Sequence, residues 1–157
     1  MSTPSPDLLV RRVVRSDRPR WAELYAGYRG FYDLGTDSTA IARTWEWVVG
    51  EQHGMTGLVA VSADGTLLGL ANLRMFARPS TGTIGLYLDD LFADPGARRR
   101  GVGAALLDAT ADLAAQRGAT VVRWITDGQN ATARSLYDQH ATATPWITYD
   151  MPPAPRS

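Results

Sequence analysis

The chain's densest chemistry lies in one stretch, Asp89-Asp-Leu-Phe-Ala-Asp-Pro-Gly-Ala-Arg-Arg-Arg-Gly-Val-Gly-Ala-Ala-Leu-Leu107. An apolar run ends near Ala93, and Pro95-Gly96 turns the chain. Arg98, Arg99 and Arg100 then lead into Gly101-Val102-Gly103 and Ala104, at the head of an Ala/Leu-rich run. Glycines at a helix start let backbone N–H groups approach an anion. Those first N–H groups lack intrahelical partners, and the helix dipole favours negative charge beside them. Arginines at the lip add charge and bidentate hydrogen bonds. The segment reads as a phosphate-binding turn suited to a pyrophosphate. A dinucleotide fingerprint needs Gly-x-Gly-x-x-Gly directly after a strand. Here Leu106 stands at the third glycine and an arginine loop intervenes. Taken alone, the stretch also fits a solvated loop whose glycines only serve turn geometry.

Two carboxylates, Asp89 and Asp90, precede the turn and could accept a proton. In a regular strand they point to opposite faces, so only one would face a given cleft. Asn130 and Tyr137 open and close a short helical run further on. Asn130 fits a helix N-cap, and Tyr137 is either a packing residue or a hydrogen-bond donor. Tyr25, Tyr28, Phe31 and Tyr32 either line an acceptor pocket or form a packing stripe.

Composition removes other chemistries. The 16 basic residues are all arginine, balanced by 16 acids, and cysteine is absent. Without lysine there is no Schiff base and no Walker A loop. Without cysteine there is no thiolate nucleophile, disulfide or thiolate metal site, and two histidines argue against a metal centre. Zero net charge and the lack of aromatics among Arg98–Arg100 argue against a nucleic-acid partner. No apolar run approaches the roughly 18 residues of a membrane span, and the first residues do not resemble a secretory signal. A cytoplasmic location is expected.

The positioning elements follow from periodicity. Leu8–Val14 reads as a strand. Ser16 or Asp17 caps a helix carrying Trp21, Leu24, Tyr25, Tyr28 and Phe31, and Asp37 or Ser38 starts a second helix that ends at Gly50. Leu58–Ala63 and Leu67–Met75 form a hairpin across Asp64-Gly65. Gly82–Phe92 follows as a strand. Then come a helix over Gly101–Gln116, a strand over Ala119–Thr126, a helix over Asn130–Asp138 and a last strand over Trp146–Met151. The order predicts one α/β domain over 7–151 with loose ends at 1–6 and 152–157. Its mixed sheet is mostly antiparallel, flanked by helices, and closes with a β-α-β unit.

Arg98-x-x-Gly101-x-Gly103 after an apolar strand, followed by Val121-Val-Arg-Trp-Ile-Thr126 and Asn130-x-x-Ala133-x-x-Leu136-Tyr137, resembles motifs A and B of the GNAT superfamily of acetyl-CoA-dependent N-acetyltransferases. The likeness covers roughly 58–151. Trp124, Thr126, Asn130, Tyr137 and Pro145-Trp-Ile-x-Tyr149 look most like the histone and polyamine branch. The resemblance implies a strand pair splayed at the CoA cleft, with the backbone of Leu91, Phe92 and Ala93 holding the pantetheine arm. It implies that Arg98, Arg99, Arg100, Gly101, Val102, Gly103 and Ala104 hold the pyrophosphate. Asn130 would reach the pantetheine or a water, and Tyr137 would sit near the CoA sulfur.

On this likeness acetyl-CoA is the donor, and a small amine, polyamine or amino-acid-like acceptor attacks the thioester directly. Ala93 N–H polarises the carbonyl and Tyr137 serves the leaving thiolate. Asp90 is preferred as the base, with Asp89, Tyr28 and Tyr32 on the acceptor side. A non-catalytic acyl-CoA-binding module is the alternative. Many chains of this type have two strands after the last helix. Here Pro152-Pro153 leaves room for one, which predicts a homodimer that covers or exchanges the C-terminal strand.

Overall fold

A computed structural model describes residues 7–35 and 37–156. Strands β1 (Leu8–Arg12), β2 (Met55–Ser62), β3 (Leu67–Arg78) and β4 (Thr83–Ala93) pair antiparallel in chain order. β5 (Val122–Arg123) joins β4 in parallel, giving the order β1-β2-β3-β4-β5. Helices α1 (Arg18–Phe31) and α2 (Ser38–Val49) cover one face, and α3 (Val102–Gln116) covers the other. The last helix is α4 (Ala131–Tyr137).

Alternation along the strands explains the two layers. Val59, Val61 and Leu70 pack with Trp21 and Trp45 beneath α1 and α2. Leu58, Ala60, Ala71, Leu73, Leu86 and Leu88 pack with Leu106 and Leu113 beneath α3. Burying a leucine of this kind contributes about 1.5–3 kcal/mol. Asp37 caps α2 by accepting from the N–H groups of Thr39 and Ala40, at 3.0 and 3.3 Å.

Two expected strands differ. The run expected over Ala119–Thr126 pairs only at Val122 and Arg123, opposite Leu86 and Tyr87. Beyond Arg123 the chain leaves the sheet while β4 continues to Ala93, so the two strands splay. No strand forms over Trp146–Met151. A strand needs a ladder partner, and among the described residues none hydrogen-bonds to 142–156. Trp146, Ile147, Tyr149 and Met151 are 77–89% exposed. The expected loose end at 1–6 lies outside the described residues, as does residue 157. Residues 152–156 are exposed and belong to no helix or strand.

Candidate active site

The site begins with an irregularity in β4. Asn72 pairs with Asp90 and Leu73 with Leu88, so Asp89 is an extra, unpaired residue: a β-bulge. Asn72 Nδ2 donates to Asp90 Oδ2 at 3.0 Å, and Arg74 Nε donates to Asp89 at 2.9 and 3.1 Å. Asn72 and Arg74 are two residues apart on β3 and share a face. The bulge therefore puts Asp89 and Asp90 on the same face, beneath α1. The expected opposition of the two carboxylates is wrong, because the extra residue breaks the alternation on which it rested.

α1 walls this acidic floor. Tyr25 Oη donates to Asp90 Oδ2 at 3.0 Å. Tyr25, Tyr28 and Tyr32 form a ring ladder, with centroids 5.5 and 4.9 Å apart. Phe92 meets Tyr28 edge-on at 6.4 Å. Burial, then the charge on Asp90, pushes the hydroxyls of Tyr25, Tyr28 and Tyr32 above the usual phenol range. Burial also raises Asp89; Arg74 opposes the rise and Asp90 adds to it. Opposite the wall, Tyr137 ends α4 and meets Trp124 edge-on at 5.3 Å. Burial first, and then Tyr32, raises Tyr137 to about 12.

The turn after β4 presents backbone donors. Asp94 caps Pro95–Ala97 by accepting from Gly96 N–H at 2.9 Å, and pairs with Arg20 of α1. Arg99 and Gly101 both take positive φ, at 68° and 75°. A Cβ at Gly103 would lie 2.9 Å from Leu136 Cδ2, so this glycine lets α4 seat against α3. Among the described residues, the N–H groups of Arg99, Gly101, Val102, Gly103 and Ala104 have no acceptor. Arg98, Arg99 and Arg100 are exposed around them. This is a nest of donors in a cationic rim, a fit for a pyrophosphate.

Asp94 N–H turns to Leu68 of β3 at 2.8 Å. Backbone groups alternate sides along a strand. Ala93 N–H therefore opens into the splay, as does that of Leu91, while Phe92 sends its ring toward α1. Asn130 Oδ1 accepts from Ala133 N–H at 3.2 Å, so Asn130 caps α4.

Sequence reasoning passed over Asn72, Tyr25 and Arg74 as contacts of the acid pair. Asn72 was the findable one: a lone amide in the apolar run Leu67-Leu-Gly-Leu-Ala-Asn-Leu73, here fully buried. Among the described residues no cluster of three or more His, Cys, Asp or Glu could hold a metal ion, and no helix is long and apolar enough to cross a membrane.

Comparison with known proteins agrees with this geometry. The model of the Acetyltransferase (GNAT) family matches residues 19–141. The uncharacterized N-acetyltransferase YhfO of Bacillus subtilis is 35% identical over 132 residues, which is 83% of this chain and 87% of that protein. The D-amino-acid N-acetyltransferase HPA3 of Saccharomyces cerevisiae is 26% identical over 156 residues, 95% of this chain and 97% of that protein. The structure of AAC(6')-Iy in complex with the bisubstrate analog CoA-S-monomethyl-acetylneamine superposes with a TM-score of 0.81 at 16% identity, covering 94% of this chain and 99% of that one.

Proposed function

Because the chain belongs to the GNAT family of acetyltransferases, which use acetyl-CoA as donor, we propose that it acetylates a primary amine by direct attack in a ternary complex. One observation carries the reading. The bulge places two carboxylates on one face beside the splay of β4 and β5, with Tyr137 opposite. The amides of Arg99 and of Gly101–Ala104 take the pyrophosphate, ringed by Arg98, Arg99 and Arg100. The backbone of Leu91–Ala93 and the side chain of Asn130 take the pantetheine.

Asp90, gripped by Tyr25 and Asn72, anchors the acceptor's ammonium. Asp89 has the raised proton affinity. A base works best when its pKa approaches the operating pH, which suits Asp89 to the role of proton acceptor. The freed amine nitrogen bonds to the thioester carbon, Ala93 N–H meets the oxyanion, the nitrogen gives its second proton to solvent, and the C–S bond breaks. A phenol at about 12 is a weaker acid than a thiol near ~8.5. Tyr137 therefore stabilises the departing thiolate by a hydrogen bond, and the thiolate takes its proton from solvent on release.

The acceptor in this reading is a small amine. The run Trp124–Tyr149 supports a place near the histone and polyamine branch, and cytoplasmic acetyl-CoA is the supply. A screen of CoA release over amines, polyamines, amino acids, aminoglycosides and histone peptides tests it. Release with at least one class is expected. Tyr137→Phe should retain CoA affinity and lose 10- to 100-fold in kcat, the worth of one hydrogen bond to a charged group. Acetyl-CoA binding without turnover on any acceptor would leave a non-catalytic acyl-CoA-binding module.

The reading includes a second copy of the chain. Ile147, Tyr149 and Met151 alternate along the exposed tail, and the outer edge of β5 has no strand beside it among the described residues. Each copy thus offers one unpaired apolar segment and the open edge of β5, and a two-fold axis satisfies both at once. Full-length protein should scatter light as a dimer at micromolar concentration, and Ile147→Asp with Tyr149→Asp should give a monomer. A full-length monomer, or a dimer indifferent to both changes, overturns this assembly.

A further inference from the structure

Beside the acid pair lies a row of cations that the transfer chemistry does not use. Arg74, Tyr87 and Arg123 are register partners across β3, β4 and β5. The Arg74 guanidinium lies 4.5 Å above the Tyr87 ring, and that of Arg123 lies 5.4 Å from the ring of Phe76. Phe76 and Tyr87 meet edge-on at 6.0 Å. Phe76 is two residues beyond Arg74, so the row shares the face of Asp89 and Asp90.

Arg74 spends only its Nε on Asp89. Among the described residues its two terminal nitrogens have no partner, and Arg123 has neither ion pair nor hydrogen bond. Neighbouring strands are about 4.8 Å apart, so the two arginines start about 10 Å apart, a span their side chains close around one carboxylate. Aromatic stacking holds both guanidiniums in place while leaving their donor edges free.

The charges thus run in a fixed order: carboxylates at the reacting end, then guanidiniums on the same face. A diamine would lay its second cation against the arginines. An α-amino acid zwitterion matches the order, its ammonium on Asp89 and Asp90 and its carboxylate on the arginine fork. We propose that Arg74 and Arg123 form a carboxylate subsite, and that the acceptor is an amino acid rather than a polyamine. This rests on the acetyl-transfer reading.

The test pairs each acceptor with its decarboxylated partner, for example both enantiomers of phenylalanine, leucine and methionine against phenethylamine, isoamylamine and 3-(methylthio)propylamine. At least one amino acid should exceed its amine about tenfold in kcat/KM, the worth of one charge-assisted contact. Arg123→Gln should bring that ratio near one through KM rather than kcat, and Arg123→Lys should restore part of it. Amines or polyamines matching or exceeding the amino acids overturn the subsite while sustaining acetyl transfer. So does a dimer lost in Arg123→Gln with the ratio intact, which gives this arginine to the subunit contact. Failure of every acceptor class overturns both.

Discussion

Replacing Gly101 by alanine isolates one cause. Gly101 caps α3 at φ 75°, and a Cβ built there meets nothing within 4 Å. The substitution therefore adds no clash, only the cost of a left-handed L-residue, about 1–2 kcal/mol. Alanine also loses less chain entropy on folding than glycine, which returns about 0.4–1 kcal/mol. If the turn keeps its shape, the net loss is about 1 kcal/mol, or some 2–4 °C in Tm for a domain of this size. If the turn relaxes instead, its amides leave the nest and CoA affinity falls about 5- to 30-fold. Thermal unfolding and CoA titration together capture both branches. Gly101→Asn should recover most of the loss, since asparagine tolerates this conformation. Binding of pantetheine, which lacks the pyrophosphate, should not change. An alanine variant with wild-type Tm and wild-type CoA affinity would refute the reasoning, and so would an asparagine variant as damaged as the alanine one.

Gly103→Ala would press on Leu136, one residue before Tyr137. Because a leucine terminus can give way, stability should fall by only about 1 kcal/mol while kcat drops through displaced α4, as thermal unfolding and steady-state kinetics will show. Asp89 must lose its proton to act as base, and its pKa is raised, chiefly by burial. kcat/KM should thus climb with pH through a limb above the usual carboxylate range, and Asp89→Asn should flatten that limb and lower the plateau. Asp17 is 6% exposed and accepts from Arg11 at 2.8 and 2.9 Å and from Val14 N–H at 2.8 Å. The Arg11 hydrogen bonds, chiefly, hold its pKa down. Its contribution is present above the unfolded value near 3.8 and is lost as pH falls through the lower folded value. Asp17→Asn should cost about 1.5–3 kcal/mol at pH 7, and the Tm gap to wild type should close below about pH 4.

Local signals carried the helices and the hairpin. Pro19, Asp37, Gly50, Asp64-Gly65 and Gly118 each act within a few residues of themselves, so they can be read without a partner. The phosphate turn was legible for the same reason. What depended on pairing was not. β5 stops at Arg123 although its apolar run continues, because strand length is set by the neighbour. Trp146–Met151 has a strand's alternation and no strand's ladder. The acid pair was misread because a bulge belongs to the register of two strands, and no residue type at 88–90 announces it.

That single extra residue also divides β4 into two phases. Tyr87 and Phe92 are five positions apart, an odd spacing, yet they lie opposite Arg74 and Leu70, which share one face of β3. Deleting Asp89 would remove one acid and the bulge together. Tyr87 and Phe92 would then stand four apart, and ordinary alternation would keep Asp90 and Phe92 on the α1 face and Leu91 on the α3 face. Gly27, whose missing side chain makes room for the Phe92 ring at 3.0 Å, would keep that ring as its neighbour. The extra residue thus adds a second acid to the face without reversing the residues beyond it. A homologue one residue shorter here should lack the paired acids and keep the aromatic contact beneath α1.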